Sequence, residues 1–91
     1  MPSGTAISNK TQLFNLLTNG GEGYLTARLT VNTNYSGNDT STVKLDLNGN
    51  YLQIDGGNIG LTNKNVTIFN GGMSVYSNLT VATNSSLTIK N

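Results

Sequence analysis

Seven short segments of this chain share one pattern: an aliphatic residue, a small or polar residue, then a second aliphatic. They are Val43-Lys44-Leu45, Leu52-Gln53-Ile54, Ile59-Gly60-Leu61, Val66-Thr67-Ile68, Met73-Ser74-Val75, Leu79-Thr80-Val81 and Leu87-Thr88-Ile89. Taken in threes they superpose, since Val43 to Val66 is 23 residues, Leu52 to Met73 is 21, Ile59 to Leu79 is 20 and Val66 to Leu87 is 21. Alternation of this kind marks half-buried strands. A repeat of about 20 to 23 residues holding three of them is the pattern of a β-solenoid, whose coils stack so that the aliphatics line one continuous core. The expected inward set is Leu45, Leu52, Ile54, Ile59, Leu61, Val66, Ile68, Met73, Val75, Leu79, Val81, Leu87 and Ile89.

The pieces between the triplets, NGN, DGGN, TNKN, NGG, YSN and ATNSS, are corner material. Asn and Gly enter the left-handed backbone region cheaply and so permit sharp corners between flat faces. Three faces per coil predict a triangular cross-section. One misfit exists: aligning Asn48-Gly49 with Asn70-Gly71 gives an offset of 22, which would set Leu45 over Thr67, and a bulge or longer first corner near 46–50 would absorb it. The rival fold is an antiparallel sandwich or barrel, which also has short strands and Gly-rich turns but no reason for a threefold grouping.

Before the triplets the period differs. In SNKTQLFNLLTNGG, Leu13, Phe14, Leu16 and Leu17 share one helical face. Asn9 reads as N-cap, with Gln12 at the capping-box position and Asn19-Gly20 as the stop, predicting a helix over 10–18. Next, YLTARLTVNTNY alternates as one strand over 24–35, with Leu25, Ala27, Leu29 and Val31 on the inner face, and SGNDTST over 36–42 reads as a polar loop. The organisation is one domain: an N-terminal arm over 1–8, a capping helix over 9–20, and strands and corners over 24–91.

A chain of 91 residues without cysteine cannot reinforce itself with disulfides or a cysteine zinc site, so backbone ladders, apolar stacking or partner chains must stabilise it. Its formal charge of +1 comes from Lys10, Arg28, Lys44, Lys64 and Lys90 against Glu22, Asp39, Asp46 and Asp55. These charges are scattered singly, so the footprint of a nucleic-acid partner is missing. No apolar run reaches membrane-spanning length, and the first residues lack the basic-then-apolar order of a signal peptide. The expectation is a soluble chain with neither nucleic acid nor membrane as partner.

The short helix ending at Gly-Gly, the strand after it, and LDLNGNYLQIDGGNIGLTNKNVTIFNGG over 45–72 together resemble the opening coils of right-handed parallel β-helices. These are the pectate-lyase-like folds common in bacteriophage tailspikes and other virion proteins. The resemblance covers most of the chain after Ser8. It implies an all-β fold, a short right-handed parallel β-helix with three strands per coil, whose N-terminal α-helix closes one end. It also implies a homotrimer among other virion proteins, either the major capsid protein or tail proteins, at the surface of the phage particle. Enzymes of the family run many more coils and carry a carboxylate site on a long open face, which this chain is too short to reproduce.

Residue by residue, no enzyme emerges. Glycosidases need two acids close together, and the nearest pair, Asp46 and Asp55, reads as an outward strand residue and a turn residue. With no histidine, cysteine or tryptophan, catalytic triads with those residues, histidine metal sites and tryptophan sugar platforms are absent from the sequence. No catalytic, cofactor-binding or metal-binding residue is therefore assigned. Tyr24, Tyr35, Tyr51 and Tyr76 are candidates for a polysaccharide-binding surface or for strand-end and interface aromatics. NGGEG, with Gly20, Gly21 and Gly23, follows a helix rather than preceding one and lacks the Lys-Ser/Thr of a phosphate loop, so it reads as a helix stop. Outward Thr67 and Thr88, with Thr26, Thr30 and Thr80 elsewhere, raise ice binding, although Lys44 interrupts their column. Asn34-Tyr35-Ser36 and Asn65-Val66-Thr67 are glycosylation sequons that Asn- and Thr-rich composition alone generates.

Met1-Pro2-Ser3 reads as a natural start, while Leu87-Thr88-Ile89 leaves a last coil whose backbone edge either further coils of a longer solenoid or another subunit should cover. The expected function is a non-enzymatic virion structural protein, a trimeric capsid decoration (cement) protein. The alternative is a fragment of a tail fibre or tailspike that displays or binds host polysaccharide, with ice binding a third reading.

Overall fold

The computed structural model describes residues 2–90 and is mostly β, with one short helix. In chain order the elements are β1 (Thr5–Ile7), α1 (Lys10–Asn19), β2 (Gly21–Leu25), β3 (Leu29–Val31), β4 (Tyr35–Gly37) and β5 (Ser41–Asp46). Then come β6 (Tyr51–Ile54), β7 (Asn58–Leu61), β8 (Lys64–Phe69), β9 (Gly72–Val75), β10 (Asn78–Val81) and β11 (Ser86–Ile89). They form three sheets: β1-β2-β5-β8-β11, β3-β6-β9 and β4-β7-β10, called here the first, second and third. From β2 onward the chain visits first, second and third sheet in turn, and one visit to all three is a circuit. Every pairing among the described residues is parallel, which removes the antiparallel sandwich.

The triplets stack as their spacing predicts, with Val43 beside Val66, Leu52 beside Met73, Ile59 beside Leu79 and Val66 beside Leu87. The misfit resolves as a longer first corner. Leu45 pairs with Ile68, an offset of 23, whereas Tyr51 pairs with Gly72, an offset of 21, so the corner over 47–50 is two residues longer than its counterpart at 70–71. The added length turns Leu47 into the core, where it is 2% exposed. Gly71 lies directly against Leu47 and the Asn50 carbonyl, leaving no room for a Cβ. Among the described residues four non-glycine residues adopt positive φ, and all are corner asparagines: Asn48, Asn63, Asn70 and Asn84. Corner amides also bridge circuits: Asn84 Nδ2 donates to Asn63 Oδ1 at 3.3 Å, Asn63 Nδ2 to the Asn38 carbonyl at 2.8 Å, and Asn78 Nδ2 to Asn58 Oδ1 at 3.1 Å.

The N-terminal third departs from expectation in three places. Residues 5–7 of the expected arm form β1, which pairs with β2 and buries Ile7. The single strand expected over 24–35 is broken at 26–28 and again at 32–34, because three sheets need corners there. Ala27 consequently lies exposed in a corner. The loop expected over 36–42 is short, since β4 and the start of β5 occupy its two ends.

The helix forms where its signals predict, one residue longer. Asn9 Oδ1 accepts from Gln12 N at 2.9 Å, while Gln12 Oε1 accepts from Ser8 N rather than from the cap residue itself. Gly20, at φ 81°, closes the helix by donating its N–H to the Leu16 carbonyl at 2.8 Å. α1 stands in the chain where a full circuit would place strands on the second and third sheets. Leu13, Leu16 and Leu17 are buried, and Phe14 stacks at 4.9 Å on Tyr35 of β4.

Lys64, expected in the corner piece TNKN, is instead the first residue of β8 and fully buried. It alternates in phase with Val66 and Ile68, so β8 points it inward beside Ser41 of β5. Its Nζ donates to the Asp39 carbonyl at 2.8 Å and to Ser41 Oγ at 3.3 Å, and Ser41 Oγ in turn donates to the Leu17 carbonyl at 2.8 Å. A buried ammonium persists only where hydrogen bonds replace its water, and these tie the end of α1 to two circuits.

Burial fades toward the last circuit. Leu45, Leu52 and Leu61 are 1–2% exposed, whereas Val75, Val81 and Ile89, expected inside, are 41%, 44% and 56% exposed, as no described strand lies beyond them. Two substitutions probe this arrangement. Ala27→Asp should leave urea-denaturation stability within about 0.5 kcal/mol of the parent, as an exposed corner predicts. Lys64→Ala should cost about 2–4 kcal/mol through a cavity and unpartnered acceptors, and Lys64→Met, which restores volume only, should recover part of that loss.

Candidate functional site

The outward faces of the three sheets differ. On the first sheet, pairing aligns Glu22, Lys44, Thr67 and Thr88 in one column. On the third, Ser36, Gly60 and Thr80 align. Thr30 stands on the second sheet beside Gln53, and Thr26 is turned into a corner, within 3.0 Å of Ser8 Oγ. The threonines named from the sequence are thus dispersed over three faces, and the Thr67–Thr88 column is only two residues long before Lys44 and Glu22.

The second sheet carries a connected polar and aromatic strip. The Arg28 guanidinium lies 5.2 Å from the centre of the Tyr51 ring and donates to Gln53 Oε1, while Gln53 Nε2 donates to Asp55 Oδ2 at 3.3 Å. Tyr51 itself covers Gly72, where a Cβ would meet the ring at 2.5 Å. Tyr76 follows β9, with its backbone N–H donating to the Ile54 carbonyl at 2.7 Å, and its side chain is 70% exposed. A cation over an aromatic face contributes about 0.5–1 kcal/mol at an exposed site.

The four tyrosines therefore do not form one surface. Tyr35 is in the core, its hydroxyl 2.8 Å from Thr18 Oγ1, and Tyr24 is half-buried on the first sheet. Only Tyr51 and Tyr76 share the exposed strip. Asp46 ends β5 and Asp55 follows β6, so the two lie at different corners. Asp46 Oδ1 accepts from Asn48 N at 2.7 Å and Asn70 Nδ2 at 2.9 Å, as a corner residue does. Gly20 to Gly23 close α1 and open β2. Asn34 of the first sequon accepts from Asn58 N, and Asn65 of the second accepts from Ser86 Oγ. Among the described residues no cluster of three His, Cys, Asp or Glu side chains is placed to hold a metal.

A core cavity of about 30 Å³, lined by Leu17, Leu45, Leu61, Met73, Leu87 and neighbouring apolar side chains, has room for about one water and no organic ligand. What the geometry does present is the far side of the last circuit. There Met73, Leu79 and Leu87 are half-buried, Val75, Val81 and Ile89 are exposed, and β9, β10 and β11 each offer a strand edge with no described strand beyond it. Such edges are templates for another chain. Sequence alternation located these residues; their exposure needed the three-dimensional stacking. No family model, curated protein or solved structure matches this chain.

Proposed function

We propose that the chain is a short right-handed parallel β-helix with three strands per coil, closed at its N-terminal end by α1, and that it serves as a non-enzymatic structural protein. The observation that carries this reading is the body of stacked parallel ladders, in which Asp46 is held at one corner by Asn48 and Asn70 and Asp55, beyond β6, is held by Gln53. Rigid stacked ladders suit assembly. From the sequence resemblance, the setting proposed is a bacteriophage virion, where the protein decorates the capsid surface as a homotrimer in contact with the major capsid protein.

A second reading, a tail-fibre or tailspike piece that binds host polysaccharide, is favoured by the Arg28–Tyr51–Gln53–Asp55 strip and exposed Tyr76. The two separate experimentally. Purified protein should co-sediment with undecorated phage capsids at saturating stoichiometry and bind no sugar on a glycan array. Glycan binding lost in both Tyr51→Ala and Tyr76→Ala, with no capsid binding, would replace the first reading by the second.

A further inference from the structure

We infer that the corner between β6 and β7 is a site of self-modification, at which Asp55 isomerises to isoaspartate through ring closure with its neighbour Gly56. Of the three aspartates, Asp39 precedes Thr40, Asp46 precedes Leu47, and only Asp55 precedes a glycine, whose backbone nitrogen no side chain shields. In the first step that nitrogen attacks Asp55 Cγ, and the hydroxyl of the neutral carboxyl leaves with the N–H proton as water. In the second, water adds to the main-chain carbonyl carbon of Asp55 and breaks its bond to the Gly56 nitrogen. The chain then runs through Cβ and Cγ, one methylene longer. Its mass is unchanged, because one water leaves and one returns.

The fold selects this corner over others of similar sequence. Asp55 and Gly56 are both exposed, and among the described residues the Gly56 N–H donates no hydrogen bond. A Cβ built on Gly56 would meet nothing nearer than the Asn32 carbonyl at 3.8 Å, so the backbone has room to move there. Among the described residues the Asp55 carboxylate is held by Gln53 Nε2 alone, at 3.3 Å. Asn19, Asn48 and Asn70 also precede glycine and close such rings more readily in a free chain, yet each is restrained. The Gly20 N–H is bound to the Leu16 carbonyl at 2.8 Å, and the Gly49 N–H to the Asn70 carbonyl at 2.8 Å. Gly71 is wedged against Leu47, while Asn70 Nδ2 is bound to Asp46. The product stays folded because both flanks of the corner are tied: Asp55 N donates to the Val31 carbonyl at 2.9 Å, and Asn58 N to Asn34 Oδ1 at 2.9 Å. Gly57 lies too close to the Thr33 carbonyl to yield, so the added methylene is absorbed at Gly56 and the new carboxylate leaves Gln53.

The inference goes beyond the proposed structural role and stands apart from it, since a decoration protein needs no acid at this corner. The test incubates the folded protein in warm neutral buffer, labels it with an isoaspartyl methyltransferase and a radioactive methyl donor, and maps the label by tryptic digestion. Trypsin separates the candidates, placing Asn19 in peptide 11–28, Asp55 in 45–64 and Asn70 in 65–90. Asn48 shares the middle peptide, but its reaction exchanges an amide for an acid and so raises the mass, which that of Asp55 does not. Label should appear first in 45–64 with no change of mass and be absent from Asp55→Glu, whose longer side chain closes the ring poorly. In denaturing urea, where the restraints are gone, the first label should move to peptides with Asn-Gly. Earliest label in 11–28 or 65–90 of the folded protein, a gain of mass in 45–64, or undiminished label in Asp55→Glu would each overturn the assignment. So would the same order of labelling in urea, or a folded protein that takes up no label over a time in which the unfolded chain does.

Discussion

The parallel backbone ladder is the interaction on which the rest of this protein depends. Because each strand bonds to the strand one circuit earlier, every side chain sits directly over its counterpart, and alternation is propagated rather than reinvented. Leu45 over Ile68 and Leu52 over Met73 are consequences of that vertical register. With few charges, no disulfide and one short helix, little else can fix the topology. The cost of the ladder is paid at the corners, where the chain must turn sharply without losing a backbone partner. Asparagine meets it twice over: its backbone accepts positive φ, and its amide extends the hydrogen-bonded column beside the strands.

The N-terminal end shows how such a stack is started. A bare first circuit would expose apolar columns on all three sheets. α1 instead supplies leucines at helical spacing to fill the same space, and Phe14 and Tyr35 occupy the volume that a further layer of aliphatics would have taken. The Leu17–Ser41–Lys64–Asp39 chain of hydrogen bonds then fastens the helix to the strands. Helix and strands bury the same core despite having different side-chain periods.

Much of this was legible in the sequence, and the misses have physical causes. Triplet spacing located the strands from β5 onward because short polar stretches rich in Asn, Gly and Ser interrupt the alternation between them. It failed over 24–35, where Leu25, Ala27, Leu29 and Val31 continue the period of two straight through a corner built from Thr26, Ala27 and Arg28, with no glycine to announce the turn. Lys64 was assigned to a corner because TNKN is polar throughout, yet in phase with Val66 and Ile68 it opens β8 and points inward. Tyr35 looked like any other tyrosine until Phe14 and Thr18 were placed beside it. For the candidate site, alternation identified Val75, Val81 and Ile89 as inward-facing, but exposure depends on what lies above them, which no local pattern encodes. The Tyr51–Arg28 contact joins residues one circuit apart and needed the register.

The asparagine corners carry a consequence for the chemical lifetime of the protein. Asn48-Gly49 and Asn70-Gly71 belong to the dipeptide type that ages fastest by deamidation, a reaction in which the backbone nitrogen of the following glycine must swing onto the asparagine side chain. At the first of these corners the Gly49 N–H is held by the Asn70 carbonyl at 2.8 Å, and at the second the Asn70 amide is held by Asp46. Each corner thus restrains the other from cyclising, so the ladder that sets the shape also slows the molecule's own covalent decay.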